Sequence, residues 1–238
     1  MRIDGRLLRY EASGAGPPVV LVPGLGGAAR WWQTATEDLA RDHRVIVPEL
    51  PGFSYRVSEA RFRLADAPVV LGGLVERLGL GQASLVGHSY GALVCLGVAA
   101  VRPEAVRRLV LVTPPVRMAS RKMVGNAVPL VRTFLSLPPP AALALVTDIA
   151  SHAPTALLRA AGEVLAHDGD PGIDSEPPVP TLVVWGARDV LVPVRGAGWV
   201  GRALPGARVR IIPGAGHVPM LDQPSLLNAE LREFLTAP

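Results

Sequence analysis

Cysteine is nearly missing from this 238-residue chain, where Cys95 stands alone. A single thiol closes no intramolecular disulfide and has no partner for a thiolate metal cluster, so neither a staple nor a zinc site is expected. Placed where a helix should follow Ser89, Cys95 reads as a small core residue. Lysine is as scarce, Lys122 being the only one, and aromatic residues make up 5%. Nucleic-acid binding asks for a clustered basic stripe with interleaved aromatics. The densest basic run, residues 117–122, is short and lies beside apolar segments, which fits a solvated surface better. The net charge of +4 therefore says little about partners. No run approaches the ~20 uninterrupted apolar residues that span a bilayer. Arg2, Ile3, Asp4 and Gly5 begin no apolar stretch with the small-residue cleavage site of a secretory signal. The expectation is a cytoplasmic monomer or homodimer with no membrane or nucleic-acid partner and no call for a cofactor or metal.

Apolar residues are abundant, at 49% against 18% charged, enough for one substantial core and a single domain. Short leucine-rich and β-branched runs recur at residues 6–10, 19–22, 44–47, 83–86, 108–112, 181–185 and 207–212, the first behind an Asp4-Gly5 hairpin signal. Longer segments with helical spacing separate them. This is the sequence form of an α/β protein with a mostly parallel sheet flanked by helices. Val-Val-Leu-Val and Leu-Val-Leu-Val are apolar on both faces, as strands between two helix layers must be. About 65 residues divide the run ending at Val112 from the one starting at Thr181, far more than one crossover helix needs. Residues 114–177 therefore read as an insertion into a core formed by 1–113 and 178–238. Helices are expected within it at 128–137, 141–150 and 155–166, punctuated by Pro138-Pro139-Pro140 and Pro154.

Chemistry concentrates at Gly87-His88-Ser89-Tyr90-Gly91, directly after one strand run and before a helical stretch. A Gly-x-Ser-x-Gly arises by chance about 0.1 times at this composition, so its place at a strand-to-helix junction carries most of the weight. A sharp elbow there strains the serine backbone and crowds strand against helix, and glycines at 87 and 91 remove the Cβ atoms that would collide. A serine hydroxyl also needs a base, held in one tautomer by an acid. Asp189 follows the 181–185 run in Trp-Gly-Ala-Arg-Asp, and His217 follows the last run in Pro-Gly-Ala-Gly-His. The chain order Ser, Asp, His is the one that accompanies such an elbow. His88 adjoins the serine but should point sideways. Glu49 and Asp222 are rival acids, the first ending another strand and the second close to His217 in sequence. Backbone N–H groups of Tyr90 and Leu25, the latter in Pro23-Gly24-Leu25-Gly26-Gly27, are the candidate oxyanion donors. That loop is also consistent with simple turn chemistry.

The elbow, the glycine loop, the Trp-Gly-x-x-Asp stretch and the Gly-x-Gly-His ending together resemble the α/β-hydrolase superfamily, over nearly the whole chain. The resemblance implies a small helical cap from Pro114 to about Asp174 over the active site. In that family the first loop commonly begins His-Gly, where this chain has Pro23, and an Asp is common where Glu49 stands. A serine at 89 departs from the branches that use a carboxylate nucleophile, which leaves an acyl-enzyme route. The reading is a serine hydrolase acting on an ester or related acyl bond of a hydrophobic small molecule, with Trp31, Met118 and Val218 lining the pocket. Trp31 and Trp32 fit a core equally well. A thioesterase, a carbon–carbon bond hydrolase, and a lyase or cyclase of secondary metabolism use the same residues, and a slow-turnover ligand receptor is the non-enzyme alternative.

Overall fold

In the computed structural model, residues 1–3, 5–50, 66–115, 127–150, 158, 161–163 and 179–237 are described. The chain opens with an antiparallel ribbon, β1 (Arg2–Ile3) against β2 (Arg6–Leu7). Residues 6–10 were expected as one strand, and the structure splits them at Leu8. Leu8 is wholly buried and trades both backbone hydrogen bonds with Met1, at 2.9 Å each, so the chain leaves the ribbon there. It continues as β3 (Arg9–Ser13) in the main sheet.

That sheet comprises β3, β4 (Pro18–Val22), β5 (Arg44–Glu49), β6 (Ala83–His88), β7 (Val106–Val112), β8 (Thr181–Gly186) and β9 (Arg208–Ile212). Its order is β3-β5-β4-β6-β7-β8-β9; the β3–β5 pair is antiparallel and every other pair parallel. The doubly apolar strands do what their pattern requires. Val20 and Val22 face a core built with α2 (Ala67–Arg77) and α3 (Tyr90–Val101), whereas Val19 and Leu21 face one built with α1 (Gln33–Leu39) and a C-terminal helix, Pro224–Thr236. The mostly parallel α/β architecture expected from the sequence is therefore the observed one. From β4 the chain runs outward to β5, and β6 returns on the other side of β4. Open α/β sheets place ligand crevices beyond the strand ends at such a reversal.

Between β7 and β8 lie α4 (Ala127–Ser136) and α5 (Pro139–Ala150). The second begins two residues earlier than its periodicity suggested, inside the proline run. Proline is tolerated in a first helical turn because the N–H it lacks has no intrahelical acceptor there. The helix expected at 155–166 lies mostly outside the described residues. After β8 come α6 (Arg195–Ala203), the short α7 (Pro219–Asp222) and α8, the C-terminal helix already named. Among the described residues, no helix is long and apolar enough to cross a membrane.

Candidate active site

Ser89 sits at the junction of β6 and α3 with φ 49° and ψ −116°. A side chain in the left-handed region costs of order 1–3 kcal/mol, so the surroundings must hold it there. They do so from both sides. The Ser89 N–H donates to the Val112 carbonyl at the end of β7 (2.8 Å), and the Ser89 carbonyl accepts from Ala92 in the first turn of α3 (2.9 Å). A Cβ at Gly87 would collide with the Gly91 carbonyl, and one at Gly91 with the carbonyls of Val22 and Pro23. Glycine at these two positions is thus a steric requirement of packing helix start, β6 and the end of β4 together.

His217 reaches this serine on the loop after β9. Its Nδ1–H donates to Asp189 Oδ2 at 2.8 Å, which leaves Nε2 at 3.2 Å from Ser89 Oγ, facing the hydroxyl as an acceptor. Asp189 is equally constrained, its Oδ1 accepting from the N–H groups of Leu191 (2.9 Å) and Val192 (2.8 Å). Both side chains are buried, 7% exposed for His217 and 0% for Asp189. Their loops are tied directly to one another. Arg188 N–H donates to the Ala215 carbonyl (2.8 Å), and a Cβ at Gly186 would collide with the Gly216 carbonyl. The three residues singled out by motif and order are therefore in one hydrogen-bonded chain. Such a chain can draw a proton from the hydroxyl while the carboxylate holds the imidazole's tautomer.

The glycine loop after β4 makes a tight turn, Gly27 N–H to Gly24 carbonyl at 3.0 Å, with Gly26 at φ 73°. Leu25 lies in this turn and Tyr90 opens α3, and the two segments meet where Gly91 abuts Val22 and Pro23. Of the expected pocket residues, Val218 follows His217 and is buried in the core, and Trp31 is only 3% exposed. The Trp31 indole N–H donates to Asp148 Oδ2 on α5 at 2.8 Å, and Arg30 Nε donates to the same oxygen at 2.8 Å. Trp31 thereby ties α5 to the core as well as packing beside His88, ring centroids 6.2 Å apart. Met118 lies outside the described residues.

Three further groups stand at the site, Asp222, His88 and Thr113, to which the sequence alone assigns no part. Asp222, weighed as a rival acid, does not orient the imidazole; its Oδ2 accepts from Gly216 N–H at 2.7 Å. Burial pushes its carboxyl up to about 6, against the opposing effect of the Gly216 bond and with the Asp189 charge adding to the rise. His88 points away from Ser89, as a residue beside the elbow should, and its Nε2–H donates to the His217 carbonyl at 2.8 Å. Burial first, then the neighbouring His217, pushes its pKa down to about 3, so it is a neutral donor and not a base. Thr113, at φ 45°, donates its hydroxyl to the same carbonyl at 3.2 Å. No local pattern marks Thr113, because a threonine at positive φ leaves no signature in sequence.

The chain is similar to known proteins to different extents. A thermophilic esterase from Thermogutta terrifontis superposes with a TM-score of 0.81 at 27% identity, covering 96% of this chain and 92% of its own. An uncharacterized protein of Mycobacterium bovis is 27% identical over 98% of this chain and 79% of its own length. A 2-hydroxymuconate semialdehyde hydrolase from Pseudomonas strain CF600 is 39% identical over a shorter stretch, 42% of this chain and 37% of its own. The alpha/beta hydrolase family profile matches residues 19–230, through all three residues of the hydrogen-bonded chain, and the protein belongs to that family.

Proposed function

We propose that the protein is a serine hydrolase that cleaves an ester or related acyl bond of a hydrophobic small molecule through an acyl-enzyme. The observation that carries this reading is the contact of His217 Nε2 with Ser89 Oγ, 3.2 Å, behind which Asp189 holds the imidazole. Ser89 Oγ attacks the acyl carbon as His217 takes its proton. The imidazolium then protonates the departing alkoxide, leaving the acyl group on Ser89. Water attacks in turn, again giving its proton to His217, which returns it to Ser89 as the acid leaves. The N–H groups of Leu25 and Tyr90 receive the oxyanion in both tetrahedral species. Helices α4 and α5, rich in leucine, valine and alanine, act as the cap that excludes water and favours an apolar acyl chain. The likeness to the Thermogutta esterase supports the ester chemistry.

The test is covalent labelling with a fluorophosphonate, with the adduct located by peptide mass. The Ser89 peptide should carry it, and Ser89→Ala should lose it; a label on another peptide that survives this substitution overturns the reading. A second reading, carbon–carbon bond hydrolysis, is favoured by the 39% identity to the semialdehyde hydrolase. Comparing kcat/KM for p-nitrophenyl butyrate with that for a diketone, whose cleavage must break a carbon–carbon bond, separates the two, because the same serine gives a nitrophenol burst from the ester in either case. Tight ligand binding with neither burst nor turnover would mark a receptor.

A further inference from the structure

The imidazole of His217 is held at one ring nitrogen by Asp189, and its loop is tied to Arg188 and Asp222, but none of these ties joins the loop to the elbow that carries Ser89. The carbonyl of the same residue is buried between two donors, His88 Nε2–H at 2.8 Å and the Thr113 hydroxyl at 3.2 Å. Both donors bracket the nucleophile. His88 is joined to Ser89 by a peptide bond, and Thr113 follows Val112, whose carbonyl accepts the Ser89 N–H at 2.8 Å. Thr113 is itself fixed, its N–H donating to the Val184 carbonyl at 2.8 Å on β8. We propose that His88 and Thr113 are positioning residues for His217, coupling the backbone of the base to the two residues that flank Ser89 in chain and in sheet. The distance between base and nucleophile then follows the rigid β6–β7 pair and not the loop after β9.

Several features show His88 to be built for this task. It is 2% exposed, and its other nitrogen, Nδ1, has no hydrogen-bond partner among the described residues. A carbonyl only accepts, so the ring must carry its proton on Nε2. On its far side the ring lies against the glycine loop, where a Cβ at Gly24 would fall 2.7 Å from Nδ1. The same imidazole therefore touches both the loop that carries Leu25 and the residue that serves as base. A neutral donor is needed in that place. An imidazolium would bury a second N–H without an acceptor and set its charge against His217, 5.1 Å away between ring centroids.

The proposal rests on the reading of Ser89 and His217 given above, so its test has one readout that needs no activity. The variants are His88→Met and Thr113→Val, which remove a donor at similar volume, and His88→Gln and Thr113→Ser, which restore one. The readouts are the fluorophosphonate labelling rate, kcat and KM for p-nitrophenyl butyrate, and the low-field proton resonance of His217 Nδ1–H. Loss of a donor should slow labelling and kcat by on the order of 10- to 100-fold, the cost of a misplacement approaching 1 Å, with KM within about twofold. It should also displace the resonance, and the restoring variants should recover most of both. Should His88→Met fail to fold, the Thr113 pair decides alone. Folded donor-less variants that label at the wild-type rate with an unmoved resonance would overturn the proposal. If the wild-type protein takes no label, the serine hydrolase reading fails by itself; a displaced resonance would still support the positioning role, and an unmoved one would overturn it.

Discussion

Replacing His88 by glutamine should change how the protein responds to acid, by an amount the structure sets. In the unfolded chain this imidazole titrates near 6.5; in the fold, burial and then His217 press it down to about 3, against the bond to the His217 carbonyl. Between these values the unfolded state binds a proton that the native state refuses. The stability His88 permits is therefore fully present above about 6.5 and is lost as pH falls toward 3, at about 1.4 kcal/mol per pH unit. From pH 7 to pH 5 the loss from this one group comes to about 2 kcal/mol. Glutamine keeps an N–H for the His217 carbonyl and has nothing to titrate. Urea unfolding at a series of pH values gives the free energy of each protein, and other carboxylates and imidazoles are common to both, so they cancel in the difference. His217 faces His88 directly, with Asp189 behind it, and both are retained. The wild type should lose about 2 kcal/mol relative to His88→Gln on going from pH 7 to pH 5. Parallel stability curves, with a difference constant to within about 0.5 kcal/mol, would refute a buried neutral imidazole at this position.

Asp189→Asn keeps the shape but removes the carboxylate that fixes the His217 tautomer, so kcat should fall about 10⁴-fold with folding intact, as circular dichroism and steady-state kinetics would show. Gly91→Ala should destabilise the fold by about 2–3 kcal/mol in denaturant melts, because its Cβ meets the carbonyls of Val22 and Pro23 in a packed strand-to-helix junction. Asp148→Ala strips the acceptor from the Trp31 indole and from Arg30; thermal melts should register a loss of about 1–3 kcal/mol, and limited proteolysis should cut α5 faster. For Asp222 the sign is opposite to that of His88. Its carboxyl is raised to about 6 from 3.8, so the native state keeps a proton the unfolded chain has released, and this group's contribution to stability falls as pH rises from about 4 to 6. Asp222→Asn, which can still accept from Gly216 N–H, should lack that fall in the same pH series.

Much of this protein was legible in its residues, because the patterns concerned are local consequences of solvation and backbone freedom. Strands apolar on both faces announced a sheet between helix layers, and the two cores packed on opposite faces of β4 bear this out. Glycines two residues either side of Ser89 announced a crowded elbow, and the order of Ser89, Asp189 and His217 pointed to side chains that the fold brings into one hydrogen-bonded chain. What sequence left open depended on register and on partners far along the chain. The split at Leu8 follows from a bond to Met1 that only the folded ribbon supplies. Trp31 meets Asp148 across 117 residues, and Asp222 is turned to Gly216 instead of the imidazole. Most of all, His88 and Thr113 converge on the His217 carbonyl because β6 and β7 run parallel with His88 opposite Val112. A strand's own residues set which face each side chain takes, but its neighbour's alignment sets what that side chain meets, and hydrogen bonds, being short and directional, exist only once that alignment is made.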